Sequence, residues 1–171
     1  MKRQKWFDKK FKFELSLDRY DSTLKRLSEN PDIIARLVSA LPDEILTKRI
    51  NNRWSIKNNV GHLIDLEELH DGRIDDFIAG KTILRPADLN NRKTDEANHN
   101  NKNIDDLISN LKNARENFVN RMKHLDVKVL SSSSIHPRLN LPMRPIDMAQ
   151  FVLEHDKHHI ETINELILSL Q

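Results

Sequence analysis

Four stretches of the chain repeat apolar residues at the three- and four-residue spacing of an amphipathic helix. Links rich in Pro, Asn and Ser separate them. From Asp18 to Leu41, Tyr20, Leu24 and Leu27 share one face, and Ile33, Ile34, Leu37 and Val38 form a second stripe. Pro31 stands between the two with Asn30 before it as an N-cap candidate, so the pattern predicts a kink or two abutting segments there. The second stretch opens at Ser55 as N-cap and runs to Ala79, with Gly80 as its stop. Its inner stripe is Ile56, Val60, Leu63, Ile74, Phe77 and Ile78, with His62 at the edge. Asn103 caps a third helix, Ile104 to Lys123, and Pro145 suits the first turn of a fourth that continues to the C-terminus.

The links are long. Thr82 to Lys102 has little periodicity, and Leu125 to Arg144 could hold a short hairpin-like excursion between Val127 and Leu141. Asp43 to Lys48 has room for one helical turn. Met1 to Leu17 carries Trp6, Phe7, Phe11 and Phe13 among lysines and reads as an extended arm whose aromatics pack on the domain, which spans residues 18–171.

Composition narrows the class. The chain has 171 residues, only three glycines and no cysteine. So few glycines favour helices over a turn-rich sandwich, and no phosphate loop or dinucleotide fingerprint can be built from them. Without cysteine there is no thiol nucleophile, thiolate metal site or disulfide, which fits a cytoplasmic protein. A formal net charge of +2 argues against nucleic acid or an anionic membrane as partner. No stretch reaches the roughly 20 apolar residues of a membrane span. The arm has no apolar run and is not a secretory signal.

The histidines then change the picture. The inner stripe of the last helix is Met148, Val152, His155, His159, Ile163, Leu166 and Leu170, so two imidazoles replace apolar residues in a buried seam. Residues four apart lie one above the other on a helix and can grip one ion. A lone H-x-x-x-H is a weak signal, and solvated histidines give the same pattern. A catalytic site commonly has three protein ligands, and His62, beside the stripe of the second helix, is the best third candidate. His158 lies about 100° from His159 and is expected to face away as a solvated group or one supporting the ligands. His99, His124 and His136 are expected at the surface. Glu67 and His70 could pair with each other. A di-iron carboxylate site would need a second Glu-x-x-His, which is missing. No strand-turn-helix nucleophile elbow exists for a Ser-His hydrolase.

The segment Trp54-Ser55-Ile56-Lys57-Asn58-Asn59-Val60-Gly61-His62-Leu63-Ile64-Asp65, followed by Arg73, resembles the second-helix signature of the DinB/YfiT-like superfamily. Glu154-His155-Asp156-Lys157-His158-His159-Ile160 resembles its closing H-x-x-x-H signature, and the two occur in the family's order and separation. The resemblance extends from about Tyr20 to the C-terminus. It implies an all-α, up-down-down-up four-helix bundle holding a divalent metal, zinc or nickel, on His62, His155 and His159. It also implies a small-molecule substrate, in some relatives a low-molecular-weight thiol cofactor, and a homodimer in many. Arg73 would bind an anionic substrate or thiol cofactor, or form a structural salt bridge. Asp65 could orient His62 or face water.

Two functions follow as expectations. One is a divalent-metal-dependent enzyme, a hydrolase or a thiol-dependent S-transferase whose sulfur comes from a cofactor. The other is a non-catalytic metal-binding or stress-related bundle acting through a partner. A fourth protein ligand closing the site would favour the second. No separate general base stands out; Glu67 could act as one, but its position on the inner stripe also suits a structural role.

Overall fold

The computed structural model describes residues 4–170; Met1 to Arg3 of the expected arm and Gln171 lie outside them. Seven α-helices and one small hairpin follow in order: α1 Tyr20–Val38, α2 Asp43–Thr47, α3 Ile56–Ile78, α4 Arg92–Glu96, α5 Ile104–Lys123, α6 Val127–Ser131, β1 Ser134–His136, β2 Leu141–Met143 and α7 Pro145–Leu170. Local chemistry accounts for the ends of the long helices. Ser55 and Asn58 form a reciprocal capping box at the start of α3. Past the C-cap Ala79, Gly80 takes the left-handed conformation (φ 64°) that glycine adopts without steric cost. The Asn103 side chain accepts from the Asp105 backbone N–H at the start of α5. Ile78, expected inside, is exposed because it lies in the last turn, beyond the core.

The long helices α1, α3, α5 and α7 form the bundle, each of α1 and α3 packing on both α5 and α7. Contact register gives their directions. Tyr20 Oη donates to the Met122 carbonyl and Lys112 pairs with Asp32, so α1 and α5 are antiparallel. Arg115 meets Glu67 and Arg121 meets Asp75, so α3 and α5 run the same way. Asn59 meets His159 while His62 faces His155, so α7 opposes α3. The topology is up-down-down-up. Two parallel helices consecutive in the bundle require the chain to return the full length of α3, and that return, residues 79–103, passes directly beside the histidines.

The core divides into two apolar clusters. One gathers Leu24, Leu27, Phe77, Phe118, Met122 and Val152, the other Ile34, Val60, Leu63, Leu111, Ile163 and Leu166. A knot of buried polar groups joins all four long helices. The Arg115 guanidinium, 1% exposed, donates to Glu67 Oε1 on α3 and to the Asp156 carboxylate on α7. Asn30 Nδ2 on α1 donates to Asp156 at 2.7 Å.

This knot explains why α1 runs unbroken through Pro31 instead of splitting into two abutting segments. Proline lacks the N–H that would bond the carbonyl four residues back. That carbonyl belongs to Leu27, and Arg115 Nη1 donates to it at 3.4 Å. Asn30 is accordingly a helical residue, not an N-cap.

The links are more ordered than their composition predicts. The expected excursion is the helix α6 followed by the β1–β2 hairpin, paired from Ser134↔Met143 to His136↔Leu141. The backbone of Thr82 to Leu84 bonds Ile135 on β1, tying the two long links together. Along the arm, Trp6, Phe11 and Phe13 pack on the bundle as expected, joined by Leu15, whereas Phe7 is 58% exposed. No helix among the described residues is long and apolar enough to cross a membrane.

Candidate metal centre

Three imidazoles converge between α3 and α7. His62, His155 and His159 are each 5–7% exposed, and their candidate ligand atoms all lie within 4.8 Å of one another. Ring centroids are 5.4 Å apart for His62 and His155, 4.9 Å for His62 and His159, and 4.6 Å for His155 and His159. No fourth His, Asp or Glu joins this group among the described residues.

Hydrogen bonds decide which nitrogen of two rings keeps its lone pair. The Thr94 hydroxyl donates its only proton to Asp65 Oδ2 at 2.9 Å, so its oxygen accepts from His62 Nδ1–H at 3.1 Å. Asn59 Nδ2 donates to the Ser55 carbonyl, which turns Asn59 Oδ1 toward His159 Nδ1–H at 2.8 Å. In both rings the lone pair is left on Nε2, as a metal ligand requires. His155 Nδ1 is buried without a hydrogen-bond partner, an orphan a core seldom tolerates.

Burial pushes the His62 pKa down to about 4, against the upward pull of Asp65. Burial and then the neighbouring His159 and His62 hold His155 well below the usual imidazole value. At neutral pH these two rings are neutral, ready to donate lone pairs without first losing a proton. Three converging imidazoles, two with a hydrogen-bonded Nδ1 and one ring carrying an orphaned atom, fit a borderline divalent cation.

Support for the site comes from the long link. His99 Nε2–H donates to Asp65 Oδ2 at 2.8 Å, while Lys102 donates to His99 Nδ1. Burial would raise the Asp65 carboxyl, but its bonds from His99 and Thr94 keep it below the ordinary value. Asp65 therefore reaches His62 through Thr94 and not directly. Gly61 makes this possible, since a Cβ there would stand 2.2 Å from the His99 ring.

Two tryptophans flank the histidines. The Trp54 ring lies 4.7 Å from His62, anchored by an indole N–H bond to Asp95, and Trp6 of the arm meets His155 edge-on at 4.8 Å. The cluster opens on a cleft of about 1110 Å³ whose wall also includes Arg73, His136, Arg138, Phe151 and His158.

Several expectations change. His99 and His136, expected at the surface, are 2% and 3% exposed; each has a polar partner that only the fold supplies. His158 does not face away: it is half-buried on the cleft wall, 5.8 Å from the Trp6 ring. Glu67 does lie beside His70, whose Nδ1 is 3.6 Å away, but it takes its hydrogen bonds from Arg115. Burial would raise the Glu67 carboxyl, but Arg115 and His70 hold it down at about 2, which leaves it a poor base. Arg73 is buried and forms no salt bridge among the described residues; it donates to the Arg85 carbonyl and lies 3.3 Å from His136 Nε2.

Thr94, His99 and His136 carried no periodic signal, lying in links. Arg115 did carry one, four residues after Leu111 and three before Phe118, on the apolar seam of α5.

A family model of the DinB superfamily matches residues 26–163. Among solved structures the chain is similar to YfiT from Bacillus subtilis, described as "a probable metal-dependent hydrolase with an unusual four-helix bundle topology". The two are 18% identical, and the likeness covers 95% of this chain and 93% of that one with a TM-score of 0.82. At that identity the likeness speaks to the fold. No curated protein matches the chain in sequence.

Proposed function

The chain belongs to the DinB superfamily, and from that premise we propose that it is a divalent-metal-dependent enzyme that hydrolyses a small molecule bound in the cleft. The observation that carries the reading is the buried three-histidine group, without a fourth protein ligand among the described residues, opening on that cleft. A structural site would be closed by a fourth side chain, so the non-catalytic alternative has less support. The description of YfiT as a probable metal-dependent hydrolase agrees with this reading.

His62, His155 and His159 would hold the cation, zinc or nickel being the expected metals. Bound there, it would supply Lewis acidity and lower the pKa of the attacking water. Thr94 and Asn59 keep Nδ1 protonated on two of the rings. Trp54 and Trp6 reduce the access of bulk water to the cluster, which strengthens electrostatic effects inside it. A second reading, S-transfer from a low-molecular-weight thiol, draws support from the cleft. Its volume is slightly above the ~300–1,000 Å³ usual for one small molecule, which gives room for a cofactor beside the substrate.

Metal analysis of the native protein beside His155→Ala tests the metal reading. After zinc or nickel is added and excess removed without chelator, the parent is expected to retain about one equivalent and the variant much less. Equal, negligible metal in both refutes it. Hydrolysis of ester, amide and phosphoester panels by the loaded parent, set against thiol uptake measured by calorimetry, separates the two chemistries.

A further inference from the structure

A second group of side chains in the cleft wall remains unused by the metal centre. Arg73 comes from α3, and His136 and Arg138 come from β1 and the turn that follows it. The Leu139 backbone N–H donates to His136 Nδ1 at 3.2 Å, which leaves the ring hydrogen on Nε2, and Arg73 Nη1 faces that nitrogen at 3.3 Å. A neutral imidazole has one lone pair and one N–H. Two donors aimed at its two nitrogens therefore leave the group with one hydrogen more than it can accept.

Arg138 adds to the surplus. Its Nη2 is buried with no hydrogen-bond partner, while the guanidinium lies over the rings of Phe7 at 5.4 Å and Phe151 at 5.9 Å. Neither arginine has a carboxylate partner among the described residues. Asp76, whose charge reaches Arg73, is already bound by Arg85 and Lys81. Burial, then Arg73 and Arg138, push the His136 pKa down to about 3. Arg73 itself falls to about 10 from burial and the two neighbouring arginines, against the pull of Asp76. Uncompensated donors and unpaired cations of this kind mark a place that lacks an anion.

We infer that Arg73 and Arg138, with His136 between the link and the helix, form an oxyanion site that holds a carboxylate or phosphate group of the substrate. The inference deepens the proposed function and rests on it only for which end of the substrate reacts. A line of rings separates the two ends: His136 is 5.1 Å from Phe151, Phe151 is 5.2 Å from Trp6, and Trp6 is 4.8 Å from His155. The substrate class is thus a small molecule with an oxyanion at one end, an apolar body along Phe151 and Trp6, and its reacting group at the histidines.

Calorimetric titration with benzoate, phenyl phosphate and neutral benzamide tests this, on metal-free and zinc-loaded protein. Both anions, or the one whose shape the site prefers, are expected to bind metal-free protein about tenfold or more tightly than benzamide. Arg138→Gln, a half-exposed position that leaves Arg73 in place, is expected to remove most of that advantage, and Arg73→Lys to weaken it independently. Benzamide binding as well as the anions, or Arg138→Gln and Arg73→Lys both binding them as the parent does, overturns the inference. Anion binding that appears only with zinc and is unchanged in Arg138→Gln also overturns it while leaving the metal reading intact. If zinc does not bind but the arginine variants lose the anion, the anion site stands and the metalloenzyme reading falls.

Discussion

Thr94→Val offers the sharpest test of how the chain tunes its histidines. Valine keeps nearly the shape of threonine and removes the hydroxyl that accepts from His62 and donates to Asp65. Thr94 and His62 are both buried, so water cannot readily replace the lost bond. In the loaded protein one ring nitrogen of His62 must keep its lone pair for the ion and the other keeps its proton. In the variant that proton is buried without an acceptor, at a cost of ~1–3 kcal/mol. The metal-free ring can move its proton to the other nitrogen, so most of the penalty falls on the loaded state. The expected outcome is zinc binding weaker by about 10- to 100-fold, the range found when a group supporting a metal ligand is removed. Asp65 retains its bond from His99, so the fold persists. Competition with a chelator of known affinity measures the change, and circular dichroism checks the fold. Zinc affinity within about threefold of the parent, with the fold intact, refutes the assignment of Thr94 as the group that fixes the His62 tautomer.

Two further outcomes concern stability. Arg115→Met leaves Glu67 and Asp156 buried without their cation and frees the Leu27 carbonyl, so urea unfolding at neutral pH is expected to show a loss of about 3–5 kcal/mol; a loss under about 1 kcal/mol would show that the knot does not hold the bundle. Adding Glu67→Gln and Asp156→Asn removes the stranded charges and is expected to recover much of the loss. In metal-free protein, His62 titrates at about 4 when folded and near 6.5 when unfolded. The unfolded chain thus binds more protons between these values, and the contribution is present in full above 6.5 and lost as pH falls toward 4. From His62 alone the loss between neutral pH and pH 5 is about 2 kcal/mol, and flat stability across that window in denaturant titrations would contradict the burial of a neutral ring.

The limits of α3 and α5 were legible because their caps are local: Ser55 with Asn58, Gly80, and Asn103 act on backbone within a few residues of themselves. The three histidines were legible for a related reason, since helical spacing fixes which side chains share a seam and a family signature marks the same positions. Whatever depended on groups far apart in the chain was not. Pro31 reads as a break until Arg115, 88 residues from Leu27, supplies the donor that proline lacks. Asp65 reads equally as a group orienting His62 or as a solvated acid until a link without periodicity brings Thr94 and His99 to it. His136 reads as a surface residue until the hairpin sets it against Arg73. Sequence by itself determined the helices and the seam on which the imidazoles lie, because helix periodicity and capping are short-range. Only the tertiary structure decided which ring nitrogens keep their lone pairs and which arginines remain without a carboxylate, because a buried polar group finds its partners through the packing of the whole bundle.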